Sequence, residues 1–159
     1  KVSEVHGMSQ RGGSVVTYVK YGSKVASPIV ALGEADLILS FEQLEAARWL
    51  PYLKKGGTII TNTQKMDPMP VVMGAAEYPH DILDAIRAKG VNLVAVDALS
   101  MAVEAGSAKA VNVALIGVMA RNMDLEKQVW KDTIAATVPA KFLEMNEKAF
   151  ELGYASQGE

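Results

Sequence analysis

Between Asp36 and Val96 the chain repeats one pattern: a short apolar run, a stretch with helical spacing, then another short apolar run. Asp36-Leu37-Ile38-Leu39-Ser40 has the composition of a strand buried on both faces. Phe41 to Leu50 then carries Leu44, Ala47 and Arg48 on one side and places Glu42 and Glu45 in the first turns, where carboxylates suit the helix dipole. Pro51 ends or kinks this helix, Lys54-Lys55-Gly56-Gly57 supplies a cationic, glycine-terminated stop, and Thr58-Ile59-Ile60-Thr61 is the next strand. The cycle continues through the rigid connection Asp67-Pro68-Met69-Pro70. A helix from about Pro79 to Lys89 follows, with Ile82, Leu83 and Ile86 on its apolar face, and Gly90 ends it before a buried strand from Val91 to Val96. Parallel strands need crossovers of this length, so the middle of the chain is restricted to the α/β class.

The flanks differ from this middle. Val2 and Val5 begin a short strand, and Ser14 to Val19 is β-branched and aromatic enough to be its neighbour across the Gly12-Gly13 break. Tyr21 to Lys24 has turn composition, and Val25 to Ile29 reads as a short returning segment that Pro28 confines to an edge. The last third is helical: Lys109 to Arg121 is apolar nearly all round, Leu125 to Thr137 is amphipathic, and Pro139 to Leu152 carries Leu143 and Phe150 on one face. The expected architecture is a single α/β domain over residues 1–159. It holds a mostly parallel, doubly wound, Rossmann-like sheet, an N-terminal β-hairpin and a helical C-terminal third. The chain opens on Lys1-Val2, without a methionine and already inside a strand, so a fragment lacking the preceding strand and helix is expected.

Composition narrows function by exclusion. A net charge of -2 and a pI near 5.7 give no overall electrostatic pull towards nucleic acid or an anionic membrane. There is no cysteine, hence no disulfide framework and no thiolate-ligated iron–sulfur cluster, and a reducing cytoplasm is the expected location. The longest apolar run, Ala110 to Ala120, is interrupted by Asn112 and is shorter than the ~20 residues of a spanning helix. No GxGxxG, GKS, GKT or GDG motif occurs, so nucleotide hydrolysis, hydride transfer and thiamine-type carbanion chemistry lack their usual loops.

The chemistry that remains gathers in the opening segment. Gly12 and Gly13 allow a sharp turn and close backbone approach, Gln10 and Arg11 offer side-chain donors, and the amides of Gly12, Gly13 and Ser14 are suited to an anion-binding nest for phosphate or carboxylate. A plain glycine-rich hairpin with its arginine in water is the competing reading. His6 has a side chain that titrates near neutrality, with no nucleophile or metal set at motif spacing, and a hydrogen-bonded turn histidine explains it equally. His80 reads as a first-turn surface residue. Asn62 and Thr63 follow a strand at the carboxyl end, where open α/β sheets bind ligands, although both are also ordinary turn formers, as is Asp97 after the next strand. Asn112 needs a partner if buried, and fixing a neighbouring loop is its simplest role.

The stretch "EVHGMSQRGGSV", Glu4 to Val15, closely resembles the beta subunits of indolepyruvate ferredoxin oxidoreductases, within the wider family of pyruvate and ketoisovalerate oxidoreductase gamma subunits. "ADLILSFEQLEAARWLPYLKKGGTIITNT", Ala35 to Thr63, is similar to the same family's strand, helix and strand, and "AVNVALIGVMA" resembles its buried helix. The family pattern normally begins with a strand and a GxGGQG-type turn upstream of Lys1. The resemblance implies oxidative decarboxylation of an aryl 2-oxo acid such as indolepyruvate, with the acyl group passed to coenzyme A and electrons to ferredoxin. Thiamine diphosphate and iron–sulfur clusters are then expected in a thiamine-binding, cysteine-rich alpha subunit, with no cofactor in this chain. Its expected part is to dock on that subunit and complete the substrate or coenzyme A entrance through Gln10, Arg11, Gly12, Gly13, Ser14, Asn62 and Thr63, with His6 and Asn112 as further candidates. Two other readings stand beside this one: a non-catalytic interaction subunit, and an independent small-molecule binding module.

Overall fold

The computed structural model describes residues 1–6 and 15–158. Strands β1 (Val2–His6) and β2 (Val15–Val19) form an antiparallel hairpin, in register from Val2 opposite Val19 to His6 opposite Val15. Strands β3 (Ala35–Ser40), β4 (Leu53–Asn62) and β5 (Asn92–Val96) form a parallel sheet in that spatial order. Helix α1 (Gln43–Trp49) crosses from β3 to β4. The crossover from β4 to β5 contains the single turn α2 (Met69–Val72) and the helix α3 (Ile82–Arg87). Four helices complete the chain: α4 (Ala98–Ala105), α5 (Val111–Arg121), α6 (Lys127–Thr137) and α7 (Leu143–Ala155).

The strands are apolar on both faces because both are covered. Ile59 packs with Ile38, Leu93, Ala46, Ile82 and Ile86 beneath α1 and α3. Its neighbour Ile60 points the other way, into the larger core of Leu37, Leu39, Val94, Val96, Leu115 and Phe150 under α4, α5 and α7. Crossover helices therefore cover one face and the C-terminal helices the other, giving three layers. Where α5 meets α7, a Cβ on Gly117 would sit 2.2 Å from the Phe150 carbonyl oxygen and one on Gly153 would sit 1.9 Å from that of Ala114. Only glycine permits this approach.

Several elements differ from the sequence reading, each for a local reason. The Lys54 to Gly57 segment does not terminate a helix: a 3₁₀ turn at Leu50–Tyr52 has already done so, and these residues form the irregular start of β4, where the register against β3 shifts between Ala35 and Leu37. Residues 25–29 form no strand. Helix α3 begins only after Asp81, whose φ of 55° makes it the one non-glycine residue in the left-handed region among the described residues. Helix α4, absent from the sequence reading, is capped by the Asp97 carboxylate. Among the described residues no helix is long and apolar enough to cross a membrane.

Candidate functional site

The parallel strands β3, β4 and β5 end side by side, with Ser40 opposite Thr61 and Asn62 opposite Val96. Chain leaving a parallel sheet here has unpaired backbone groups, and buried polar side chains satisfy them. Ser40 Oγ donates to the Glu42 carbonyl at 2.6 Å. Glu42, buried, is the N-cap of α1: its carboxylate accepts from the amides of Leu44 at 3.0 Å and Glu45 at 2.5 Å. The same carboxylate accepts the Tyr78 hydroxyl at 2.8 Å. Burial, followed by the bond to the Glu42 carboxylate and its charge, raises the Tyr78 pKa well above the ordinary phenol value, so the hydroxyl stays a donor. Gln43, also buried, donates from Nε2 to the Thr63 carbonyl at 2.5 Å.

Asn62 and Thr63, two of the residues singled out in the sequence, sit in this network. Asn62 is fully buried; its Oδ1 accepts from the Ala98 amide at 3.1 Å and its Nδ2 donates to Gln64 Oε1 at 3.3 Å. It thereby ties the end of β4 to the first turn of α4. Thr63 donates its amide to the Val96 carbonyl at 2.9 Å, extending the tie to β5. Asp97 caps α4 on Ser100, and the Ser100 hydroxyl and amide hold its carboxyl below the usual carboxylate range. Beside this corner lies a cavity of about 270 Å³ lined by Gln43, Lys65, Asp81, Ile82, Asp84 and Arg87. Its charges are mixed, and Asp84 is bonded to Arg87 at 3.0 Å.

The remaining candidates lie elsewhere. Gln10, Arg11, Gly12, Gly13 and Ser14 fall outside the described residues. The hairpin leading to them is fastened near the amino end of the parallel strands. There Tyr18 packs edge-on against Trp49, the last residue of α1, and Lys20 pairs with Glu34, just before β3. The base of the Arg-Gly-Gly hairpin and the Asn62-Thr63 corner thus attach at opposite ends of the sheet. His6 is the last residue of β1, paired with Val15. Asn112 is exposed in the first turn of α5, so burial does not impose a partner on it. His80 is exposed and lines a second, apolar cavity of about 290 Å³ between α1 and α3.

The sequence reading did not single out Gln43, Lys65 or Tyr78, and it took Glu42 only for a first-turn carboxylate. A Ser-x-Glu at a strand-to-helix junction signals a cap. Nothing local signals that Tyr78, 36 residues further on, would share it. The chain has no cysteine, and among the described residues no three of His, Asp and Glu gather as a metal site. This donor set does not fit an iron–sulfur cluster.

Comparison with known proteins supplies the context. The model of the family described as pyruvate ferredoxin/flavodoxin oxidoreductase matches residues 1–156. Indolepyruvate oxidoreductase subunit IorB from Thermococcus kodakarensis is 44% identical over 160 residues, spanning 96% of this chain and 78% of the relative. The protein of the same name from Archaeoglobus fulgidus is 35% identical over 156 residues, covering 96% of this chain and 77% of that one. Among solved structures, the gamma subunit of keto/oxoacid ferredoxin oxidoreductase from Geobacter sulfurreducens superposes with a TM-score of 0.62 at 20% identity, over 97% of this chain and 77% of that one. Pyruvate oxidoreductase subunit PORC from Thermotoga maritima gives 0.58 at 15% identity, over 97% and 78%. Those structures share the fold, and the match over nearly the whole sequence carries the assignment: the chain belongs to the pyruvate ferredoxin/flavodoxin oxidoreductase family.

Proposed function

We propose that this chain is the cofactor-free subunit of an indolepyruvate:ferredoxin oxidoreductase, working only when docked on a larger companion. The carrying observation is the 44% identity to an indolepyruvate oxidoreductase subunit over 96% of the chain. In this reading thiamine diphosphate and the iron–sulfur clusters reside in the companion, which supports decarboxylation and electron transfer to ferredoxin. A chain without cysteine has no thiolates to hold such clusters. No step is assigned to this chain through those groups.

What the chain contributes is shape and an anion-binding turn. Gly12, Gly13 and Ser14 allow backbone amides to approach a phosphate or carboxylate, and the Arg11 guanidinium offers a planar, permanently charged fork suited to either. Gln10 adds a neutral donor. This turn is the proposed contact with coenzyme A or the 2-oxo acid. Asn62 and Thr63 serve by fixing the strand ends, since Asn62 spends both ends of its amide on protein partners. His6 and Asn112 remain accessory candidates: one is the last residue of β1 and the other is exposed on α5. Arg11→Ala in the reconstituted complex is expected to raise KM for coenzyme A or the oxo acid at least ~10-fold, the order of a lost charged hydrogen bond, or to weaken assembly. Unchanged kinetics with unchanged assembly would discard the role.

A further inference from the structure

Residues 63–81 leave the carboxyl end of β4 and return at the start of α3. Their backbone bonds turn inward: Val71 and Val72 donate to the Pro68 carbonyl, Met73 to Met69, Gly74 to Val71, and Ala75 and Ala76 to Pro70. The segment is internally organised and attached to the body mainly at its ends. At one end Thr63 donates to Val96, and Gln64 accepts from the Gln43 amide. Near the other end Tyr78 packs its ring beside the α1–α3 core, and its hydroxyl reaches Glu42. Lys65 Nζ lies 5.9 Å from the centre of that ring, drawing the two ends of the segment together. The outer surface carries exposed Met66, Val72 and Met73, so little apolar burial holds it down.

The latch is also asymmetric. Glu42 bonds two α1 amides besides the phenol, and water can replace the phenol, so release of Tyr78 is expected to leave the cap of α1 in place. Left-handed backbone at Gly74 and Asp81 marks the two points flanking Tyr78 where the chain changes direction. We propose that residues 64–80 form a strap at the carboxyl end of the sheet, latched by the Tyr78 hydroxyl on Glu42, whose release draws Lys65 away from Gln43 and widens the cavity that both line. This inference is independent of which ligand the enzyme takes.

Tyr78→Phe keeps the ring and removes only the hydroxyl bond. Residue-resolved hydrogen–deuterium exchange on the full chain in its assembled complex should show amide exchange across 64–80 rising ~10-fold, with α1 and β4 unchanged. Tyr78→Ala, which also loses the ring packing, should raise it further in the same residues. Exchange in 64–80 indistinguishable from wild type in Tyr78→Phe would overturn the proposal. So would a rise that extends equally into α1, because that would make Tyr78 part of the helix cap rather than a latch.

Discussion

Where α5 packs on α7, two glycines let backbones touch around Phe150. At the carboxyl end of the sheet, Glu42, Gln43 and Asn62 bridge gaps that backbone does not close. The first region is a close-packed interior with little room to adjust; the second is a set of directional bonds that can be remade one at a time. The difference teaches which region holds the fold by close packing and which by bonds that can be exchanged singly. An edge built from individual hydrogen bonds can open without unfolding the layers behind it.

Overfilling the glycine contact breaks the comparison most severely. Gly153→Ala would place a Cβ 1.9 Å from the Ala114 carbonyl oxygen, with no flexible side chain to give way. A loss of at least ~3 kcal/mol is expected, read as a lower urea midpoint and poor soluble yield. Tolerance of alanine there would mean that α5 and α7 do not approach as described.

At the strand ends the expected costs are smaller and selective. Asp97→Ala removes the α4 cap and should cost ~1 kcal/mol. Because the Asp97 carboxyl is held below the usual range when folded, its contribution is complete above the ordinary carboxylate pKa and is lost as pH falls through the lowered folded value. Wild type should therefore lose stability on acidification below about pH 4 relative to Asp97→Asn, which caps without titrating. Parallel pH profiles for the two proteins would contradict the assigned cap.

The same contrast governs what could be read from the sequence. The sheet was legible because strands buried on both faces leave continuous apolar runs, as in Asp36 to Ser40 and Val91 to Val96, and because Gly90 punctuates helical spacing; Gly153, by composition a stop for the last helix, instead lies inside α7, where its missing side chain admits the Ala114 backbone. Helix α4 escapes the sequence reading because its buried side is made of small residues, Ala98, Ala102 and Ala105, which give a faint stripe, while Asp97 reads as a turn former after a strand rather than a cap. The helix from Pro79 was expected too early, since Asp81 takes a left-handed turn before α3. At the strand ends, the position of Asn62 and Thr63 at the close of a buried strand is legible in the sequence. The Tyr78 to Glu42 bond is not, because it joins residues that periodicity does not relate.

Reconstitution of the full chain with a candidate companion subunit tests the central claim most directly, by following indolepyruvate-dependent reduction of ferredoxin for each subunit alone and for the pair. The account predicts that the chain copurifies with a thiamine-containing, iron–sulfur companion and that turnover requires both. Oxidation of the keto acid by this chain alone, or full turnover by the companion without it, would contradict the account.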